Sequence, residues 1–257
     1  MDQAANEYIT SLHNQSTGTD LEDTWYCIAA CSFAASNKGQ YVADVFTQAI
    51  SSRRDDHVYH RHVLKRIKGT ILVQSLLIPP PLKEVEALLK TGIIYGIPRV
   101  INAFRALVKA IPSPESNETS STRAHIAVPA ETDARGLEYM RNIFRADLDP
   151  FLGAMDTYWP DLRTLVVTYI YGYYQSDTSV LDAITTSQLN IATLVPVDVA
   201  AEVAWHMRGT IRNGGTEGQL KAAYDIALRV CEICDVNLKN KMPEAQDVIN
   251  EERLIVD

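Results

Sequence analysis

Apolar residues recur along this chain mostly at the three- and four-residue spacing of helices, and no stretch keeps the strict alternation of a half-buried strand for more than a few positions. The breaks between apolar runs are those of helical proteins: Asn37-Lys38-Gly39, three prolines from Pro79, Pro98, and Asn213-Gly214-Gly215. The pattern predicts an all-α chain. LVVTYIYGYY, from Leu165 to Tyr174, is rich in β-branched and aromatic residues that favour a strand. Its length without a turn signal suits a buried helix better.

The helices fall into two similar series. In the first, apolar runs cover Leu21 to Asn37 and Gln40 to Ser51, and after an insertion Leu82 to Ala110, interrupted at YGIPRV. In the second, Ile184 to Val195 is followed by Val199 to Arg212 and by Thr216 to Val236. Between them lies a stretch rich in Ser, Thr and Pro and poor in large apolar residues. It reads as a linker. The organisation expected is therefore a repeat over residues 1–110, a linker over 111–134 and a second repeat over 135–257, packed as one pseudo-symmetric domain.

Composition changes this picture little. With 257 residues, 46% of them hydrophobic, the chain can bury a sizeable core. A net charge of -8 argues against nucleic acid or an anionic membrane surface as partner, because either calls for a basic face. The basic run from Arg61 to Lys68 is short and mixed, and suits a solvated helix face. No apolar run reaches the ~18 to 20 residues that span a bilayer, so no membrane partner is expected. The N-terminus lacks the cationic start and apolar core of a secretory signal, and the final LIVD matches no address tag. Cys27, Cys31, Cys231 and Cys234 are too few and too clustered for a secreted disulfide framework. A reducing cytoplasm is the expectation.

Candidate chemistry centres on EVAWHMRGTIRNGGTEGQL, from Glu202 to Leu220. Glu202 and His206 are four apart, so a helix places them on one face. A carboxylate beside an imidazole raises its pKa and orients it, as a proton-transfer residue requires. The alternative is an ordinary helix pair with the histidine half buried. Arg208 and Arg212 could hold a substrate carboxylate or enolate oxygen, or serve the helix C-terminus and Glu217. Gly214 and Gly215 read as the helix stop, and Thr216 with Gln219 as a capping box on the next helix. When the second helices of the two series are aligned at their ends, His206 falls opposite Val45 and Glu202 opposite Tyr41. Only one copy carries the polar pair.

Other clusters carry weaker signals. Tyr169, Tyr171, Tyr173 and Tyr174 could line an aromatic pocket or simply fill a core. Cys231-Glu232-Ile233-Cys234 is a CxxC by spelling, but it lies late in a helix, where the dipole disfavours a thiolate. Core residues are the better reading there, as for Cys27 and Cys31. RRDDHVYHRH, from Arg53 to His62, could gather a metal, yet its arginines oppose a cation and an exposed loop or helix start fits it better.

VAWHMRGTIRNGGTEGQLKAA, with ALLKTGIIYGIPRVINAF and WYCIAACSFAASNKGQ in the first half, resembles carboxymuconolactone decarboxylase and AhpD-like proteins, in particular the large duplicated fungal type. The resemblance implies an AhpD-like helical fold with a degenerate first repeat. It departs where the AhpD branch keeps its dithiol: with His206 as anchor, those places fall at Val199 and Glu202, and the acidic residue of that branch falls near Ser187 and Gln188. The dithiol mechanism is therefore not expected. What the resemblance implies is a cofactor-free lyase or isomerase acting by proton transfer on a small, aromatic or polyketide-derived acid or lactone, without metal. His206 would be the general acid or base and Glu202 its orienting partner. By the same resemblance Arg208 or Arg212 would hold a carboxylate or oxyanion, in a homo-oligomer of two or more chains, and Tyr171, Tyr174 and Trp205 are the further candidates for substrate contact. The alternatives are a non-catalytic oligomeric or ligand-binding protein that keeps the fold, and a thiol-dependent antioxidant protein.

Overall fold

The computed structural model describes residues 2–68, 87–110, 129–158 and 163–256, and among them the regular structure is entirely helical. The chain is all-α. The first half contains α1 (Asp2–Ser16), α2 (Trp25–Ala35), α3 (Tyr41–Ala49), α4 (His57–Lys68), α5 (Ala87–Tyr95) and α6 (Ile97–Ala110). Then follow α7 (Pro129–Phe144), α8 (Leu148–Tyr158), α9 (Leu165–Gln175), α10 (Ala183–Val197), α11 (Ala200–Arg212), α12 (Glu217–Ile233) and α13 (Ala245–Val256). Most of the expected linker lies outside the described residues; its last six positions, 129–134, open α7. The prolines at 79–81 also lie outside them.

The core is organised by two helices that are buried on every side. Every residue of α2 is buried, and its composition is apolar almost throughout, which is how an all-round buried helix is written. α10 is buried from Thr185 to Pro196 although it reads TTSQLNIATLVP. Six of those residues are polar, so the helix must find partners for them inside the protein. α10 packs on α2, α5, α11 and α12, while α2 packs on α3, α5 and α12.

Local chemistry sets the ends. The break expected at YGIPRV is Gly96, whose φ of 93° lies in the left-handed region and separates α5 from α6. α10 starts on Asp182, whose carboxylate accepts from the Thr185 amide at 2.6 Å. It stops on Asp198 at φ 66°. Thr216 and Gln219 form the expected capping box at the start of α12. Asp56 accepts from the Tyr59 amide at 2.9 Å, so RRDDHVYHRH contains the start of α4.

The Leu165 to Tyr174 segment is helical, but it is wound as a π-helix, α9. Its wider winding shows at its end, where the Ser176 amide donates to Tyr171 O at 2.8 Å, five residues back. α9 lies along α7, and the two backbones meet at Gly136 and Gly172.

Candidate functional site

The polar residues of α10 meet those of three other helices in one buried chain of hydrogen bonds. Gln175, at the end of α9, and Asn190 on α10 exchange side-chain bonds: Asn190 Nδ2 donates to Gln175 Oε1 at 2.9 Å, and Gln175 Nε2 to Asn190 Oδ1 at 3.3 Å. Gln175 Nε2 also reaches the Lys90 carbonyl of α5 at 3.0 Å. Asn190 Nδ2 reaches His206 Nδ1 on α11 at 3.3 Å. With an amide N–H pointed at Nδ1, the neutral ring carries its proton on Nε2.

Lys90 closes the other end of the chain. The residue is 1% exposed, and its ammonium donates to Asp177 O at 2.6 Å, Gln175 O at 3.1 Å and Thr186 Oγ1 at 3.3 Å. Two of these acceptors are carbonyls just at and after the end of α9, where the helix dipole favours a cation. Burial still dominates and lowers the amine to about 8, with Asp177 opposing the shift.

The residues expected from the sequence are placed differently from one another. His206 is buried, and burial lowers its pKa to about 4. The expected rise from Glu202 is absent because Glu202 is exposed on the first turn of α11, and the imidazole bonds Asn190 instead. Arg212 grips Glu252 of α13 with Nε at 2.8 Å and Nη2 at 2.6 Å, and also donates to the Ile143 carbonyl. Arg208 bonds Glu251 at 2.8 Å. Both guanidinium groups hold α13 rather than stand open for a substrate. Glu217, the other expected partner, pairs with Arg253.

Tyr171 and Trp205 do come together, in an aromatic cluster. Phe144 lies edge-on to both, at 5.8 Å from Tyr171 and 5.2 Å from Trp205, and Phe151 is 5.6 Å from Trp205. Burial raises the Tyr171 hydroxyl well above its ordinary range, with Glu202 adding to the shift. Tyr174 sits apart, half-buried against Tyr173. Two surface recesses, one along residues 52–58 and one between α1 and α12, include none of these side chains. All four cysteines are buried. Burial pushes Cys231 up to about 12 and Cys234 up to about 11, the direction that suppresses thiolate chemistry.

Lys90, Gln175 and Asn190 escape a reading by motif because they lie far apart in sequence on three different helices. One signal was available: a helix with no consistently polar face, yet six polar residues, must bury some of them.

The neutral imidazole makes stability depend on pH. His206 titrates near 4 when folded and near ~6.5 when unfolded, so between these values the unfolded chain binds more protons. Its contribution is complete above the unfolded value and is lost as pH falls toward 4. The full loss amounts to about 3 kcal/mol. Urea unfolding at pH 7 and pH 4 should show wild type losing more stability than His206→Gln by roughly that amount. Equal losses in the two proteins would contradict a buried neutral imidazole.

Two curated relatives match. Peroxisomal protein 2 of Schizosaccharomyces pombe is 33% identical over 154 residues, covering 60% of this chain and 71% of the relative. Peroxisomal protein 2 of Saccharomyces cerevisiae is 24% identical over 86% of this chain and 92% of its own length. No family model matches the chain, and no solved structure does. These relatives overturn the expected membership of the carboxymuconolactone decarboxylase and AhpD-like proteins. Among the residues that carried the resemblance, Asn213-Gly214-Gly215-Thr216 and Gly96-Ile97-Pro98 are stop and restart signals that any pair of packed helices can use. The relatives' names also overturn the expectation of a cytoplasmic protein, which rested on cysteine usage and the lack of a recognised tag.

Proposed function

The chain belongs to the peroxisomal protein 2 family, and from that premise we propose that it works in peroxisomes as a helical ligand-binding protein rather than by proton transfer at a Glu202–His206 pair. One observation carries the reading. His206 is neutral, buried and bonded to Asn190, while Glu202 stands exposed. A proton-transfer residue works best with a pKa near the operating pH and within hydrogen-bond reach of the substrate. His206 has an orienting amide and a low pKa instead.

A duplicated architecture belongs to the same proposal: α12 packs on α2 as α5 packs on α10, the exchange expected of two related units. So does assembly into a homo-oligomer, for which Leu165 and Tyr169 on α9 and Leu254 and Ile255 on α13 offer exposed apolar side chains. No helix among the described residues is long and apolar enough to cross a membrane.

A second reading keeps cofactor-independent decarboxylation, dehydration or isomerisation of a small acid or lactone, with Asn190 in place of Glu202 as the residue that orients His206. One observation favours it: Lys90 and His206 both have shifted pKa values and lie at the two ends of one hydrogen-bonded chain, and perturbed groups gather at functional sites.

The test has two arms. A fluorescent fusion should coincide with a peroxisomal marker; diffuse fluorescence would sink the location. Purified protein incubated with a panel of small aromatic and aliphatic acids, lactones and amines should bind members of the panel without consuming them. Consumption that His206→Asn abolishes would overturn the binding reading and establish the second.

A further inference from the structure

α1 and α12 face one another across a cleft of about 530 Å3, within the roughly 300–1,000 Å3 of small-molecule sites. It exists because α12 presents Gly218 and Ala222, one turn apart, toward α1. A Cβ at Gly218 would meet only the Thr216 hydroxyl, at 3.7 Å. The apolar lining comes from Leu12, Leu21 and Ile226.

Three features give this cleft a ligand chemistry. Ser16 lines it and is 1% exposed, yet its hydroxyl has no hydrogen-bond partner among the described residues. An unmade buried bond costs about 1–3 kcal/mol, so an occupant that reaches the hydroxyl is stabilised by the bond it makes there. Next, the charge on offer is negative. Asp20 and Asp225 line the cleft against one lining cation, Arg229, which is itself paired with Glu232 at 2.7 Å, so the lining stays net negative. Lys221 partly offsets Asp225 but stands outside the lining, its ammonium directed to Gln246 at 2.7 Å. Finally, burial holds the Tyr8 hydroxyl protonated, so it serves as a neutral hydrogen-bonding group on the α1 wall.

We propose that the cleft between α1 and α12 binds a small molecule with an apolar body and a protonated amine, the ammonium at Asp225 and the body over Leu12, Leu21 and Ile226. The proposal rests on the ligand-binding reading above and gives that reading a site and a ligand class. A carboxylate of the same shape is disfavoured by the same aspartates.

Phenylethylamine and 3-phenylpropionate make the test, because they share a body and differ in charge. Titrated into the full-length 15N-labelled protein, phenylethylamine should shift α1 and α12 amides saturably, and 3-phenylpropionate should not. Asp225→Asn, an exposed substitution, should weaken the amine about two- to fivefold. Ala222→Leu should block it. Ser16→Ala should weaken it severalfold while leaving the melting temperature equal or higher, since no bond is lost in the free protein. Equal shifts with both probes, no saturable shift at these amides, or unchanged affinity in Asp225→Asn and Ala222→Leu would overturn the proposal. Saturable binding of either probe elsewhere, such as beside Trp205, would overturn this cleft while leaving the ligand-binding reading standing.

Discussion

Arg212→Met is expected to destabilise the protein by about 3–5 kcal/mol, because it strips the closest partner from a carboxylate that cannot reach water. Glu252 is 2% exposed and Arg212 6%, and the two side chains meet through two of the three guanidinium nitrogens and both carboxylate oxygens. Arg212 also donates to the Ile143 carbonyl, so one side chain joins α11 to α13 and to the end of α7. Arg145 at 3.6 Å and Arg208 at 3.9 Å are farther away and better solvated, and do not replace a bidentate partner. For a chain of this size the loss corresponds to roughly 6–20 °C in melting temperature. Urea unfolding measures it directly, and amide exchange should show α13 opening first. The double variant Arg212→Met/Glu252→Leu should recover much of the loss, since a well-packed apolar pair can match a buried ion pair. A wild-type midpoint for Arg212→Met would mean that α13 is not held through this pair.

Gly172→Ala comes next, with an expected cost of about 3 kcal/mol or more from overpacking. A Cβ there would lie 2.7 Å from Thr132 Cγ2 and 2.9 Å from the Thr132 carbonyl carbon, and closer still to its oxygen. Backbone cannot move aside as a side chain can, so α7 and α9 must separate. Arg135 binds the Gly172 carbonyl and Ser176 Oγ, which fixes the two helices at this separation. The consequence would reach the buried polar chain, because Gln175 hangs from the last turn of α9. Gly153→Ala in α8 is the control: nothing lies within 4 Å of its new Cβ, and an exposed helical glycine replaced by alanine should gain about 0.5–1 kcal/mol. Thermal unfolding of both variants decides the matter, and equal effects at the two positions would refute the close crossing.

Much of the architecture is legible in local pattern. The breaks at Gly96 and Gly214, the capping box at Thr216 and the helical state of Leu165 to Tyr174 follow from φ preferences, side-chain capping and run length, all settled within a few residues. The π winding of α9 is not legible in that way, since the same residues could make an ordinary helix. The Gly136–Gly172 crossing and the Arg135 bonds to Gly172 and Ser176 accompany it. Spacing also placed Glu202 and His206 on one helix, but it could not say which of them faces solvent. Arg208 and Arg212 found their carboxylates some forty residues later, on α13. Only folding brings such residues together.

By itself the sequence determined an all-α chain, the place of several of its helices, such as α10, α11 and α12, and the neutral, core-filling character of its cysteines, because these depend on short-range sterics, capping and the burial of apolar runs. Tertiary structure alone decided the chemistry. It turned Glu202 outward, set Asn190 against His206 and buried Lys90 among carbonyls from the end of α9. A side chain's charge state depends on its solvation and its neighbours, and for these residues the neighbours come from other helices.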